Sequence, residues 1–136
     1  MPNTNAVVVT PFLRNTLFLD GLVSGAAGVL MLLGATIIAP LTGLPVALLA
    51  WAGALLLPWC AALAALSRRA TIPRLWLIDI VAVNALWVAA SLGILVAAVV
   101  EPNQIGYGFV IAQALAVAIF AELQIMALRR NRAATA

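Results

Sequence analysis

RLWLIDIVAVNALWVAASLGILVA, Arg74 to Ala97, is a mostly aliphatic run long enough to cross a lipid bilayer, yet it holds Asp79 and Asn84. Hydrocarbon offers no water to either side chain, so each needs a partner within the protein or a place near an interface. The rest of the chain repeats this apolar character. Hydrophobic residues make up 66% of the 136 and charged residues 8%, with a mean hydropathy of +1.20. Soluble domains are closer to half apolar and one-quarter charged, so the composition specifies an integral membrane protein in a single domain, residues 1–136.

Turn-forming residues cut the chain into four apolar segments: Leu17 to Ile38, Val46 to Leu66, Leu75 to Val100 and Phe109 to Leu128. Each holds about 20 residues or more, and a helix of that length spans roughly 30 Å of hydrocarbon. None shows the two-residue alternation of a membrane barrel strand. APLTGLP (Ala39 to Pro45) and EPNQIGYG (Glu101 to Gly108) read as tight hairpin loops, and SRRATIPR (Ser67 to Arg74) as the central connection, with Pro73 suited to a helix start. The expected fold is an all-α membrane protein, a four-helix transmembrane bundle of two hairpins. The apolar run after Arg14 exceeds the roughly 7 to 15 residues of a signal-peptide core, so an anchored first span is expected. Residues 1–11 and 131–136 read as short polar tails, and Pro2 leaves no myristoylation signal.

Charge gives the orientation. The seven basic residues are all arginine: Arg14 before span one, Arg68, Arg69 and Arg74 between spans two and three, and Arg129, Arg130 and Arg132 after span four. Both hairpin loops lack a basic residue. Two spans separate successive clusters, so all seven fall on one side, and the positive-inside rule places both termini in the cytoplasm. The same distribution explains a pI near 10.6 without nucleic acid as a partner.

Asp20 and Asp79 lie shortly after Arg14 and Arg74, and Glu122 shortly before Arg129, at roughly 7 to 11 Å from the arginine level by helical rise. This shared depth suggests a polar layer fastened by arginine, or a protonatable coupling site. Asn84 is deeper, roughly 15 Å from Arg74, and shares a face with Trp87 and Ser91, with Asp79 turned about 140° away. Ser24 or Gln113 is its expected hydrogen-bond partner, with a pocket floored by Trp87 as the alternative. Asp20, Asp79, Asn84 and Glu122 are therefore the candidate polar seam. Gly21 and Gly25 form a GxxxG and Gly28 extends the small face, so a helix is expected to pack closely there. Pro58 predicts a kink near Trp59. LDGLV (Leu19 to Val23) and IDIVA (Ile78 to Ala82) hint at an internal repeat.

DGLVSGAAGVL (Asp20 to Leu30), NALWVAASL (Asn84 to Leu92) and QALAVAIFAELQ (Gln113 to Gln124) resemble a group of small, uncharacterised four-span bacterial integral membrane proteins. That resemblance implies a four-span fold in a bacterial inner membrane and brings no function or site residue. Size and span count are also similar to those of small multidrug transporters, which use a first-span glutamate; here the acid is Asp20 and the charge bias is complete. The chain has no histidine and no lysine, and Cys60 is its single cysteine. His-ligated metals, His-dependent nucleophiles, a Ser-Lys dyad, a lysine Schiff base and an internal disulfide are thereby excluded. No cofactor and no catalysis are expected. The leading function is a structural or accessory membrane protein whose partners are the bilayer, other membrane subunits or a second copy; the alternative is a small proton-coupled or passive transporter using its membrane carboxylates.

Overall fold

Thr10 and Pro11 set the start of the first long helix. The Thr10 hydroxyl accepts from the Leu13 amide over 3.3 Å, and Pro11 occupies the first turn, where its missing N–H leaves nothing unpaired. A computed structural model describes residues 5–135, with side chains through residue 132. Among the described residues there are five helices and two short strands: β1 (Ala6–Val8), α1 (Pro11–Leu33), α2 (Ala35–Thr42), α3 (Val46–Ser67), β2 (Thr71–Pro73), α4 (Arg74–Val96) and α5 (Gln104–Thr135). Four of the helices, α1, α3, α4 and α5, are long and apolar enough to cross a membrane.

Several boundaries differ from the sequence reading: α1 starts at Pro11 rather than Leu17, and α5 runs from Gln104 to Thr135 rather than from Phe109 to Leu128, so most of EPNQIGYG is helical. The APLTGLP segment is mostly helical: α1 breaks at Gly34, and α2 carries Pro40 to a cap at Gly43, which adopts φ 72° and donates its N–H to Ala39 O over 2.8 Å. Only Gly43, Leu44 and Pro45 turn the chain. At the third span, α4 ends at Val96 instead of Val100, closed by Ala97 N–H to Gly93 O at 2.9 Å and Val99 N–H to Ile94 O at 3.1 Å. Pro58 lies inside α3, as the sequence reading places it within span two.

The polar-tail readings of residues 1–11 and 131–136 also need correction, the second because α5 continues to Thr135; residues 1–4 and 136 lie outside the described residues. Asn5 to Val9 is an ordered segment in which β1 pairs antiparallel with β2, with Ala6 opposite Pro73, Val7 opposite Ile72 and Val8 opposite Thr71. Its sequence AVVV is β-branched rather than polar, and Val7 and Val9 are buried beside Leu13, Leu17, Ile72 and Leu77. The pairing brings residues 6–8 to the α3–α4 connection. Arg130 stacks over Phe12, so the end of α5 reaches the same place. At the opposite end Asn103 joins α5 to α2, its amide N–H donating to Thr42 O at 3.0 Å and its Nδ2 to Leu41 O at 2.9 Å.

Glycine seats α3 against α1. Moving up α1, Gly21 lies against Leu63, Gly25 against Cys60, and Gly28 against Gly53 and Leu56, so the two helices run antiparallel. A Cβ on Gly53 would sit 2.6 Å from Leu32 N and 2.7 Å from Gly28 O, both backbone atoms that cannot step aside. Helices α4 and α5 pack along each other, and α5 also meets α1. Apolar clusters fill both ends of the interior, one around Leu13, Leu63 and Leu77, the other around Met31, Leu49 and Val110.

Gly53→Ala is expected to destabilise the solubilised protein by about 1–3 kcal/mol, through overpacking. Gly93→Ala, where an added Cβ meets nothing within 4 Å, should be neutral or stabilising by up to about 1 kcal/mol. Unfolding in mixed micelles checks both; equal effects at the two sites would contradict close packing at Gly53.

Candidate functional site

Between the two apolar clusters lies a layer of polar side chains supplied by α1, α4 and α5. Asp20 is 1% exposed, Asn84 2% and Gln124 0%. Asn84 Nδ2 donates to Asp20 Oδ2 and to Gln124 Oε1, each over 3.0 Å. Gln124 Nε2 donates to Asp20 Oδ2 over 2.7 Å, closing a triangle. Ser24, one turn along α1, donates to Asp20 Oδ1 over 3.3 Å. Among the described residues no buried side-chain polar atom is without a hydrogen-bond partner. This is the arrangement that burial demands, since an unpaired carboxyl or amide in an apolar interior costs several kcal/mol.

Helix starts explain how these residues meet. Counted from Arg14, Asp20 is shallow. Counted from Pro11, where α1 begins, it is roughly 14 Å along the axis, and Asn84 is roughly 15 Å from the start of α4 at Arg74. The two are level because Arg14 is itself inside α1. In the same way α5 continues past Arg129 to Thr135, which carries Gln124 deeper than its distance from the arginines suggests.

Of the four candidate seam residues, the structure brings together Asp20 and Asn84. Asp79 and Glu122 are exposed on the outer faces of α4 and α5, apart from that layer. Five residues of helix separate Asp79 from Asn84, so with Asn84 turned inward Asp79 must face away. Arginine is also missing from the layer. The partners expected for Asn84 are reassigned: Ser24 bonds Asp20, and Gln113 belongs to a second cluster. There Trp87 Nε1 donates to Gln113 Oε1 at 2.6 Å, Gln113 Nε2 donates to Ser91 Oγ at 2.9 Å, and Ser91 Oγ donates to Trp87 O at 2.7 Å. Gln124 is the residue that sequence reasoning missed. Its spacing of eleven from Gln113, three helical turns, places both amides on one face of α5 and was the available signal.

Two cavities adjoin these clusters. One of about 260 Å³ lies mainly among α3, α4 and α5, lined by Leu48, Ala52, Trp87, Ser91, Phe109 and Gln113 among others. The other, about 240 Å³, reaches Ser24 and Asn84, and the two share Leu55 and Trp87 as lining residues. Their walls are mostly aliphatic and aromatic. Among the described residues no three Cys, Asp or Glu side chains converge as a bound metal would require. Cys60 is partly buried, with Sγ over Gly25.

Four apolar helices of spanning length, three of them joined through an internal polar layer, define a helical protein of the multi-pass membrane class. No family model, curated protein or solved structure matches the chain.

Asp20→Ala strands the Asn84 and Gln124 amides and is expected to lower stability by about 1–3 kcal/mol. Asn84→Leu should lower it by about 1 kcal/mol while leaving topology unchanged. Asp79→Asn and Glu122→Gln, on exposed faces, should stay within about 0.5 kcal/mol of the parent. Chemical unfolding of the four variants in one detergent compares them, and a loss at Asp79 equal to that at Asp20 would contradict the assignment.

Proposed function

We propose that the protein is a structural or accessory component of a bacterial inner membrane, a four-span helical bundle of two hairpins with both termini in the cytoplasm and no catalysis of its own. The observation that carries this reading is the internally bonded polar layer: Asp20, Asn84 and Gln124 are buried and spend their hydrogen bonds on one another. A group committed in this way holds helices in register, and the surface left to other molecules is the apolar exterior and the arginine-bearing end. The strand pairing and the Arg130–Phe12 stack put the arginine-bearing segments at one end of the molecule, and the positive-inside rule makes that end cytoplasmic.

A second reading, a small proton-coupled or passive transporter, is favoured by one observation. The smaller cavity reaches Ser24 and Asn84, both bonded to Asp20. Carboxylates within membrane spans often mark ion or substrate pathways, so the two readings meet at the same residue.

Proton flux separates them. Proteoliposomes holding the protein and carrying an imposed pH gradient should leak no faster than empty vesicles. A leak that Asp20→Asn abolishes would overturn the accessory reading and establish the second. For orientation, Cys60→Ala gives a cysteine-free background into which cysteine is placed at Ala70 or Glu101, both exposed. On intact cells a membrane-impermeant maleimide should label the Glu101 position and spare Ala70; the reverse pattern would invert the topology.

A further inference from the structure

Four separate parts of the chain deliver arginine to one end of the molecule. Arg14 stands in α1, Arg69 precedes β2, Arg74 opens α4, and Arg129 and Arg130 lie late in α5. The fold ties them together. Arg14 Nη2 donates to the Arg69 carbonyl over 3.5 Å, and the Arg74 amide donates to Asn5 O over 2.7 Å at the edge of the strand pair. Two of the guanidinium groups lie over aromatic rings, Arg69 at 5.6 Å from the centre of Trp76 and Arg130 at 4.7 Å from that of Phe12. Arg74 is half-buried and the other four are exposed. None of the five forms an ion pair among the described residues. The acids lie elsewhere: Asp20 in the buried layer, Glu101 at the opposite end, Asp79 and Glu122 farther along their helices.

A guanidinium stacked on a ring keeps its in-plane N–H donors, and its planar fork matches two oxygens of a phosphate. Below the arginines the surface turns mostly apolar, with Phe18, Leu19, Leu75 and Trp76 exposed and Asp79 the one acid on that stretch of α4. Cationic forks set directly above bare hydrocarbon fit an amphiphile whose phosphate and acyl chains are joined, whereas a free phosphate would use only the upper part. We propose that this end binds the phosphodiester headgroup of an anionic phospholipid, its acyl chains lying along the exposed faces of α1 and α4. The proposal rests on the reading of the arginine end as the part of the protein at a bilayer surface, and it is independent of which side of the cell that surface faces. Clustered basic residues next to spanning helices attract acidic lipid in just this way.

The full chain is reconstituted in vesicles of mixed phosphatidylglycerol and phosphatidylcholine, extracted mildly, and its retained lipid is measured by mass spectrometry. Retained lipid should be enriched in phosphatidylglycerol, and Arg69→Gln and Arg130→Gln should each lower the enrichment by up to about fivefold. Lysine at the same positions should restore part of it, because charge returns without the fork. In the parent, the enrichment should shrink when the vesicles are loaded at high salt. Retention in the proportions of the starting mixture, or an enrichment that neither the double glutamine variant nor salt reduces, would overturn the proposal. So would inorganic phosphate that raises the thermal midpoint as much as phosphatidylglycerol does. Vesicles offer lipid at both surfaces, so an inverted cellular topology would leave these outcomes unchanged.

Discussion

A carboxyl group placed in hydrocarbon has to receive its hydrogen bonds from protein, because the bilayer supplies none. Asp20 obtains three, from Ser24 on its own helix, Asn84 on α4 and Gln124 on α5. The bond between Asn84 and Gln124 makes the three helices members of one ring of contacts. Hydrophobic attraction does not sort helices within lipid, since a lipid tail is as apolar as leucine; close packing and interhelical hydrogen bonds do the sorting. Here the two means are divided between partners. Glycines fit α3 to α1, and the Asp20 layer fits α4 and α5 to α1.

Each end of the molecule is tied by other means. The arginine-bearing end is closed by the β1–β2 pair and by guanidinium groups resting on Trp76 and Phe12. At the far end Asn103 links the C-terminus of α2 to the first turn of α5, and its Oδ1 accepts from the Gly106 amide over 2.9 Å. Gly106 has no alternative there, since a Cβ would collide with the Thr42 carbonyl. Between these ties the cavities beside Trp87 are walled by α3 on one side and by α4 and α5 on the other. Packing is therefore tight within each helix pair and looser where α3 faces α4.

The four spanning segments were legible because composition and length alone specify them, and turn residues separated them to within a few positions. Boundaries slipped where local chemistry overrode hydropathy: Thr10 and Pro11 started α1 before the apolar run, and Pro40 was accommodated in a short helix. Asn84 was legible as an inward-facing residue from its face with Trp87 and Ser91. The depth of Asp20 was not, because arginine positions were used as a ruler although Arg14 and Arg129 lie inside helices. Shared depth also grouped Asp79 and Glu122 with Asp20, but depth is one coordinate and azimuth is the other. Pairings such as Asp20 with Gln124 cross most of the chain, and periodicity within a helix carries no information about which neighbour it meets. Strand β1 escaped notice because three residues are too few to display a period.

The central claim is that Asp20 and Gln124 stabilise this fold through each other. A double-mutant cycle of Asp20→Ala and Gln124→Leu, read by reversible unfolding in one detergent, measures that directly. The account requires a coupling of about 1 kcal/mol or more, within the range of roughly 0.5 to 3 kcal/mol found for residues in one hydrogen-bond network. Strictly additive losses would mean that the two side chains do not meet, and the account would be wrong at its centre.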